Sequence, residues 1–209
     1  MKTLYYLLIL VSFTALPACD KVESKKATEP AGWFLSGSAP QEFNIGVDNQ
    51  NPQQGEQSGF IESIETVPTG YGTLMQQCTG KDLKGERVKM TGYIQTMGTE
   101  TTLTMMWIRV DDYDLQITAD FDNMYDRPII GTKYWTKCEI VFDVPESQCV
   151  VNVGLLLEGA GKAWIDNVSF DTVSISTFKT ASNLNVPFPD ESPFPEDLPE
   201  MPVNLDFEE

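Results

Sequence analysis

Apolar and polar residues alternate with a period of two along most of this chain. Phe43, Ile45 and Val47 alternate with Asn44, Gly46 and Asp48, and Val88, Met90 and Ile94 alternate with Lys89, Thr91, Tyr93 and Gln95. Met106, Ile108 and Val110 alternate with Met105, Trp107 and Arg109, and Leu115, Ile117, Ala119 and Phe121 with Gln116, Thr118 and Asp120. Cys138 to Val144 and Val151 to Leu157 continue the pattern, and Ala163 to Val173 closes it. Successive side chains of a strand point to opposite faces, so each run predicts a strand with one buried face. Gly72 to Leu83 is the one segment with a helical look, a turn or two in length. About eight short strands, one short helix and no βαβ rhythm predict an all-β protein, a single antiparallel sandwich or jelly roll.

The flanks differ from this middle. Lys2 provides a minimal charged start, and Leu4 to Leu16 is an apolar run of 13 residues. A run of that length suits a signal peptide and is too short to span a bilayer as a helix. The following Leu16-Pro17-Ala18-Cys19 resembles the lipobox of bacterial lipoprotein precursors, with Pro17 unusual at the tolerant position. That resemblance implies residues 1–18 as a lipoprotein signal peptide and Cys19 as the lipidation site, carrying palmitate among its acyl chains. The alternative is an ordinary secretory leader cut near Ala18, with Cys19 left as a plain thiol. Lipidation would hold the protein in the cell envelope, on a membrane facing the periplasm or exterior. Asp20 resembles the enterobacterial signal for retention in the inner membrane.

Composition narrows the function. Residues 19–30 are polar and aperiodic, as a disordered tether is, and residues 31–180 are the expected sandwich domain. The tail, 181–209, is Pro-rich and has eight acids with no Lys or Arg. It is expected to be disordered, except that Leu205 and Phe207 alternate with polar neighbours as in a strand. Asn204 to Glu208 is therefore expected to return to a sheet edge, in the same molecule or in a neighbour. The middle carries 20 acids and 10 bases, a net of −10. Such a charge argues against nucleic acid and against anionic lipid surfaces. The chain has no histidine, which excludes Ser-His-Asp and Cys-His triads and His-ligated zinc or iron. Cys78, Cys138 and Cys149 read as buried thiols. In a simple hairpin Cys138 and Cys149 are offset by about five residues, at roughly 3.3 Å each, beyond disulfide reach.

The segments GWFLSGSAP, YGTLMQQ, LKGERVKMTGYIQT, WIRVD, DNMYDRPIIGT, YWTKCEIVFDVPES and GLLLEGAGKAWIDNVSFDTV follow one another in order. Together they resemble a widespread, largely uncharacterised bacterial domain family, found alone in lipoproteins or appended to transcriptional regulators and enzymes. The resemblance covers residues 32–175. The closing GKAWIDNVSF is similar to the last core strand of carbohydrate-binding modules with a galactose-binding-like jelly roll. In those modules an acid at the position of Asp166 often holds a structural calcium, with a second ligand from an N-terminal motif of the type Asn-x-x-Phe-Glu. Here that pattern stands at the C-terminus, Asn204 to Glu208, so the resemblance implies Asp166 and Glu208 as calcium ligands. The alternative is a chance likeness in a disordered tail.

Read from the residues themselves, the candidate ligand face is Tyr93, Gln95, Met105, Trp107 and Arg109. Aromatic rings beside a guanidinium and an amide offer a sugar a flat apolar platform with polar groups to fix its hydroxyls. The competing reading packs Trp107 away and pairs Arg109 with Asp111. Asp120, Asp122, Asn123, Asp126 and Arg127 crowd one loop, either as oxygen ligands for calcium or as an Asx-bonded turn with Arg127 on a carboxylate. Paired carboxylates suffice for glycoside hydrolysis, yet no pair sits in a recognisable motif and no catalytic residue is assigned. The expected function is a membrane-tethered, non-catalytic binding or adaptor lipoprotein for a glycan, a peptide or a cell-envelope protein. The alternative is a structural or assembly lipoprotein acting through its acidic tail, and a carboxylate glycoside hydrolase stands third.

Overall fold

The computed structural model describes residues 28–187 and 193–209. The leader, the lipobox with Cys19 and most of the tether lie outside the described residues. Strands β1 (Phe34–Gly37), β2 (Phe43–Asp48), β3 (Ser58–Ser63) and β4 (Tyr71–Cys78) come first. They are followed by β5 (Arg87–Gly98), β6 (Leu103–Asp112), β7 (Ile117–Asp122) and β8 (Ile129–Ile130). Then come β9 (Lys133–Asp143), β10 (Cys149–Glu158), β11 (Gly161–Val173) and β12 (Ser182–Pro187). One sheet runs β1-β4-β10-β6-β7-β12, with β8 paired to β6, and the other runs β2-β3-β11-β5-β9. All the pairings are antiparallel. The protein is the all-β sandwich that the alternation predicts.

The alternation also identifies the core. Met106, Ile108 and Val110 of β6 and Val151, Val153, Leu155 and Leu157 of β10 are fully buried. They meet Ile61, Met90, Ile94, Ile140, Phe142 and Ile165 of the other sheet in one apolar cluster. Burying each such side chain contributes about 1.5–3 kcal/mol before the entropy of ordering the chain is subtracted.

Four features depart from the sequence reading. Gly72 to Cys78 is strand, not helix, and only Lys81–Leu83 makes a single 3-10 turn. This strand lies between β1 and β10; the polar Gln76 shares the inner face with Leu74, bonded to Val203, while the apolar Met75 turns to the outer face, which hides the two-residue period. Second, β5 and β6 are consecutive but belong to opposite sheets, as do β9 and β10. Cys138 and Cys149 therefore do not share a hairpin. Cys78, Cys138 and Cys149 are free and buried, and burial raises their thiols to about 12, 11 and 11.

Third, β7 reverses the rule of apolar inside. Asp120 and Asp122 pair in register with the buried Val110 and Ile108, while Phe121 pairs with exposed Arg109. The two buried carboxylates are accepted because Lys179 Nζ lies 2.8 Å from Asp120 and Arg127 Nη2 lies 2.6 Å from Asp122, as charges taken from water require.

The fourth is the tail. Ser182–Pro187 is strand β12, paired with β7. Residues 199–207 lie along the sandwich: Thr79 N–H donates to the Pro199 carbonyl, Lys81 N–H to Glu200, and Val168 N–H to Leu205. Asn204 to Glu208 does return to the domain, but in turns rather than as a strand. Asn204 and Phe207 have φ of 46° and 60°, and this left-handed backbone is what aims the Phe207 ring between the sheets. The ring is 0% exposed and stacks at 4.9 Å on Trp33. Trp33 Nε1 donates to the Asn204 carbonyl at 3.0 Å.

Candidate functional site

The outer face of the seven-stranded sheet carries a groove of about 490 Å3. Its floor follows from the register. Asn152 of β10 stands between Gln77 of β4 and Arg109 of β6, and Gly154 stands between Met75 and Trp107. Leu156 stands between Thr73 and Met105, and β1 adds Phe34 and Ser36 beside Met75 and Thr73. Phe121 extends the Arg109 row onto β7.

Trp107 is placed by its neighbours. Gly154 has no side chain to hold the indole off the sheet; a Cβ there would stand 2.8 Å from Trp107 Nε1 and 2.7 Å from the Leu74 carbonyl. The half-buried indole therefore crosses over β10 and donates to Thr73 Oγ1 at 2.8 Å. Thr73 Oγ1 in turn donates to the Leu155 carbonyl at 3.0 Å. Phe34 and Tyr71 are partly exposed beside this floor, and Tyr125, 71% exposed, stands at the rim.

The polar end is fixed with equal care. Arg109 donates through Nε to Asp111 Oδ2 at 2.9 Å, and Nη2 is also 2.9 Å from that oxygen. Asn152, fully buried, donates to Asp111 Oδ2 at 2.9 Å and to the Arg109 carbonyl, and accepts from Gln77 Nε2 at 2.7 Å. The guanidinium keeps its Nη1 donors without a partner among the described residues. The arrangement is an apolar, partly aromatic floor with guanidinium and amide groups at one end and Glu158 also in the lining. An apolar floor with a few fixed polar groups is the composition of small-molecule sites in general.

The structure separates the residues that the sequence grouped. Trp107, Arg109 and Met105 line this groove. Tyr93 and Gln95 lie on β5 in the other sheet, where Gln95 Oε1 accepts from Asn51 Nδ2 at 3.1 Å. The grouping fails because β5 and β6, though consecutive in the chain, lie in different sheets. Phe34, Tyr71, Thr73, Gln77, Phe121, Tyr125, Asn152 and Gly154 were not singled out by sequence. The intact alternation of β10 placed Asn152 and Gly154 opposite the core, but nothing local told which strands flank them.

Asp166 and Glu208 hold one loop from two sides. Asp166 Oδ2 accepts from Gln53 N–H and Gln54 N–H at 2.8 and 3.0 Å, and Oδ1 accepts from Asn167 N–H at 2.6 Å. Glu208 Oε1 accepts from Glu56 N–H and Gln57 N–H at 2.6 and 3.1 Å. Burial, with the nearby Glu208 charge, pushes Asp166 up despite these three bonds. Calcium requires several oxygens converging on one point, whereas these oxygens face N–H donors, so the pair does not fit a cation. In the Asp120–Arg127 loop, Asp122 Oδ1 accepts from Met124 N–H at 2.8 Å and Asn123 Oδ1 from Tyr125 N–H at 3.2 Å. With Arg127 on Asp122 and Asp126, these are Asx turns closed by an ion pair.

No family model matches the chain. It is similar to a Bacillus subtilis (strain 168) protein named an uncharacterized HTH-type transcriptional regulator, YbfP, at 38% identity over 190 residues. The match takes in 90% of this chain, which spans 60% of the length of that curated relative. Among solved structures, a cyclase from Fischerella sp. TAU superposes with a TM-score of 0.51 at 13% identity, covering 69% of this chain and 85% of that one. The CBM22-1–GH10 modules of Clostridium thermocellum xylanase 10B, complexed with xylohexaose, give 0.50 at 10% identity, covering 73% of this chain and 29% of that one. The active domain of a bacteriophage CBA120 tailspike gives 0.50 at 15% identity, covering 68% of this chain and 20% of that one. These structures share a fold with this chain.

Proposed function

We propose that the protein is a non-catalytic glycan-binding module, held on a bacterial membrane by lipid on Cys19, with its ligand in the groove of the seven-stranded sheet. The observation that carries this reading is the Trp107 indole laid over Gly154, with Arg109, Gln77 and Asn152 fixed in the adjacent row. A sugar ring needs that combination: an apolar plane for its C–H face and preorganised donors and acceptors for its hydroxyls. The fold shared with xylanase modules solved with xylohexaose agrees with it. The likeness to a protein named as a transcriptional regulator stands apart from this reading and pulls weakly against an envelope location. The net charge of −17 turns the partner away from nucleic acid. Two or more acyl chains on Cys19 make the anchor stable in the envelope.

The test is an immobilised glycan panel probed with the chain and with Trp107→Ala. Binding to particular glycans that is lost in the variant supports the reading. Absence of binding across plant, bacterial and capsular glycans, with the fold intact, overturns it.

A further inference from the structure

The five-stranded sheet ends at β9, and part of that edge is already taken. Val141 N–H donates to Thr180 Oγ1 at 2.9 Å, and the Val141 carbonyl accepts from Thr180 N–H and Ala181 N–H at 3.0 Å. Val141, Glu139 and Lys137 pair with Lys89, Thr91 and Tyr93 of β5 in unbroken register. Alternate residues of an antiparallel strand turn their main-chain groups to opposite sides. Glu139 and Lys137 therefore present N–H and C=O on the side where Val141 meets Thr180. No main-chain partner reaches them there among the described residues.

A groove of about 620 Å3 runs beside these two residues, between β9 and the segment 124–130. Buried Met124, Ile129 and Cys138 contribute its apolar lining. Arg127, Lys133 and Lys137 also line it, with Glu139 as the one acid; Lys137 Nζ lies 2.7 Å from Glu139 Oε1, and Arg127 is paired with Asp122 and Asp126. Lys133 has no ion pair among the described residues, in a chain with 31 acids and 14 bases. The neighbouring Tyr134 is 89% exposed.

We propose that this half of the β9 edge receives an extended acidic peptide segment of a partner protein as an added strand. Main-chain bonds to Lys137 and Glu139 supply the affinity, apolar side chains at alternate positions enter the Met124–Ile129 lining, and acidic ones meet Lys133 and exchange with Glu139 for Lys137. The segment at Thr180–Ala181 shows how the edge is met: it makes the same kind of bonds two residues further along. The site lies on the opposite sheet from the glycan groove and does not depend on that reading.

The probe is a blocked peptide of alternating Glu and Val, titrated into the 15N-labelled full chain at low ionic strength. The expected result is that the Lys137 and Glu139 amides shift and exchange more slowly with solvent. Affinity falls with added salt, and the double variant Lys133→Glu, Lys137→Glu loses about tenfold or more. Lys137→Pro, which removes an outward N–H and leaves the β5 ladder bonded, loses binding as well, and the charge variant decides should the proline variant misfold. Shifts confined to other surfaces, no shift at about 1 mM peptide, or undiminished binding by the charge variant overturn the proposal. Protection of the same two amides by rising protein concentration alone assigns the edge to a second copy of the chain and overturns it equally.

Discussion

Trp107 Nε1 donates to Thr73 Oγ1 across 2.8 Å, although β10 lies between their strands. The bond spans a whole strand because Gly154 occupies the position between them. One glycine, one threonine and one tryptophan on three strands thus make the floor of the groove, and each can be tested alone.

Gly154→Ala is expected to abolish glycan binding, because its Cβ enters the space of the indole and of the Leu74 carbonyl. Thr73→Val leaves the indole N–H without its acceptor and costs about 1 kcal/mol of stability, with a smaller loss of binding. Urea unfolding and glycan titration of both variants check this. Equal binding by Gly154→Ala and wild type would remove Trp107 from the site.

Phe207 is fully buried against Trp33, so Phe207→Ala is expected to cost about 3–5 kcal/mol. Glu208→Gln keeps an acceptor for Glu56 and Gln57 N–H and is expected to cost well under that, about 1 kcal/mol. Calcium and chelator should leave the melting midpoint of either protein where it was, since both Asp166 and Glu208 face N–H donors. A midpoint raised by calcium in wild type and not in Glu208→Gln would restore the metal reading.

Burial pushes the Asp122 carboxyl up, but the Arg127 guanidinium and the Met124 N–H outweigh it and hold the group below its ordinary value of 3.8. A lowered carboxylate stabilises the fold above the unfolded value and loses that contribution as pH falls through the folded one. Arg127→Met is therefore expected to be less stable than wild type by about 2 kcal/mol at pH 7, and the gap should close below pH 3.8. Denaturation at pH 7 and pH 3 measures it. A gap independent of pH would assign the effect to packing of the arginine stem instead.

Cys19→Ser is expected to accumulate uncleaved and to leave the detergent phase in a phase-partition experiment, whereas wild type enters it. Processing and partition identical to wild type would make residues 1–18 an ordinary secretory leader.

By itself the sequence determined the strands β2, β5, β6, β9 and β10 with their inner and outer faces, and the charge that sets partners aside. Period-two alternation is a local property: Met106, Ile108 and Val110, or Val151, Val153 and Leu155, show it without reference to anything else in the chain. It fades where a polar residue turns inward beside an apolar one turned outward, as at Gln76 and Met75, and where buried acids are paired with cations, as at Asp120 and Asp122 with Lys179 and Arg127. What only the tertiary structure decided is which strands are neighbours. Parity says that Tyr93, Gln95, Trp107 and Arg109 all point away from the core, but not that β5 and β6 fall in different sheets and send them to opposite sides of the molecule. Gly154 under Trp107 and Phe207 against Trp33 are likewise long-range meetings, fixed by the packing of two sheets on one core, and the pattern along a strand carries no record of them.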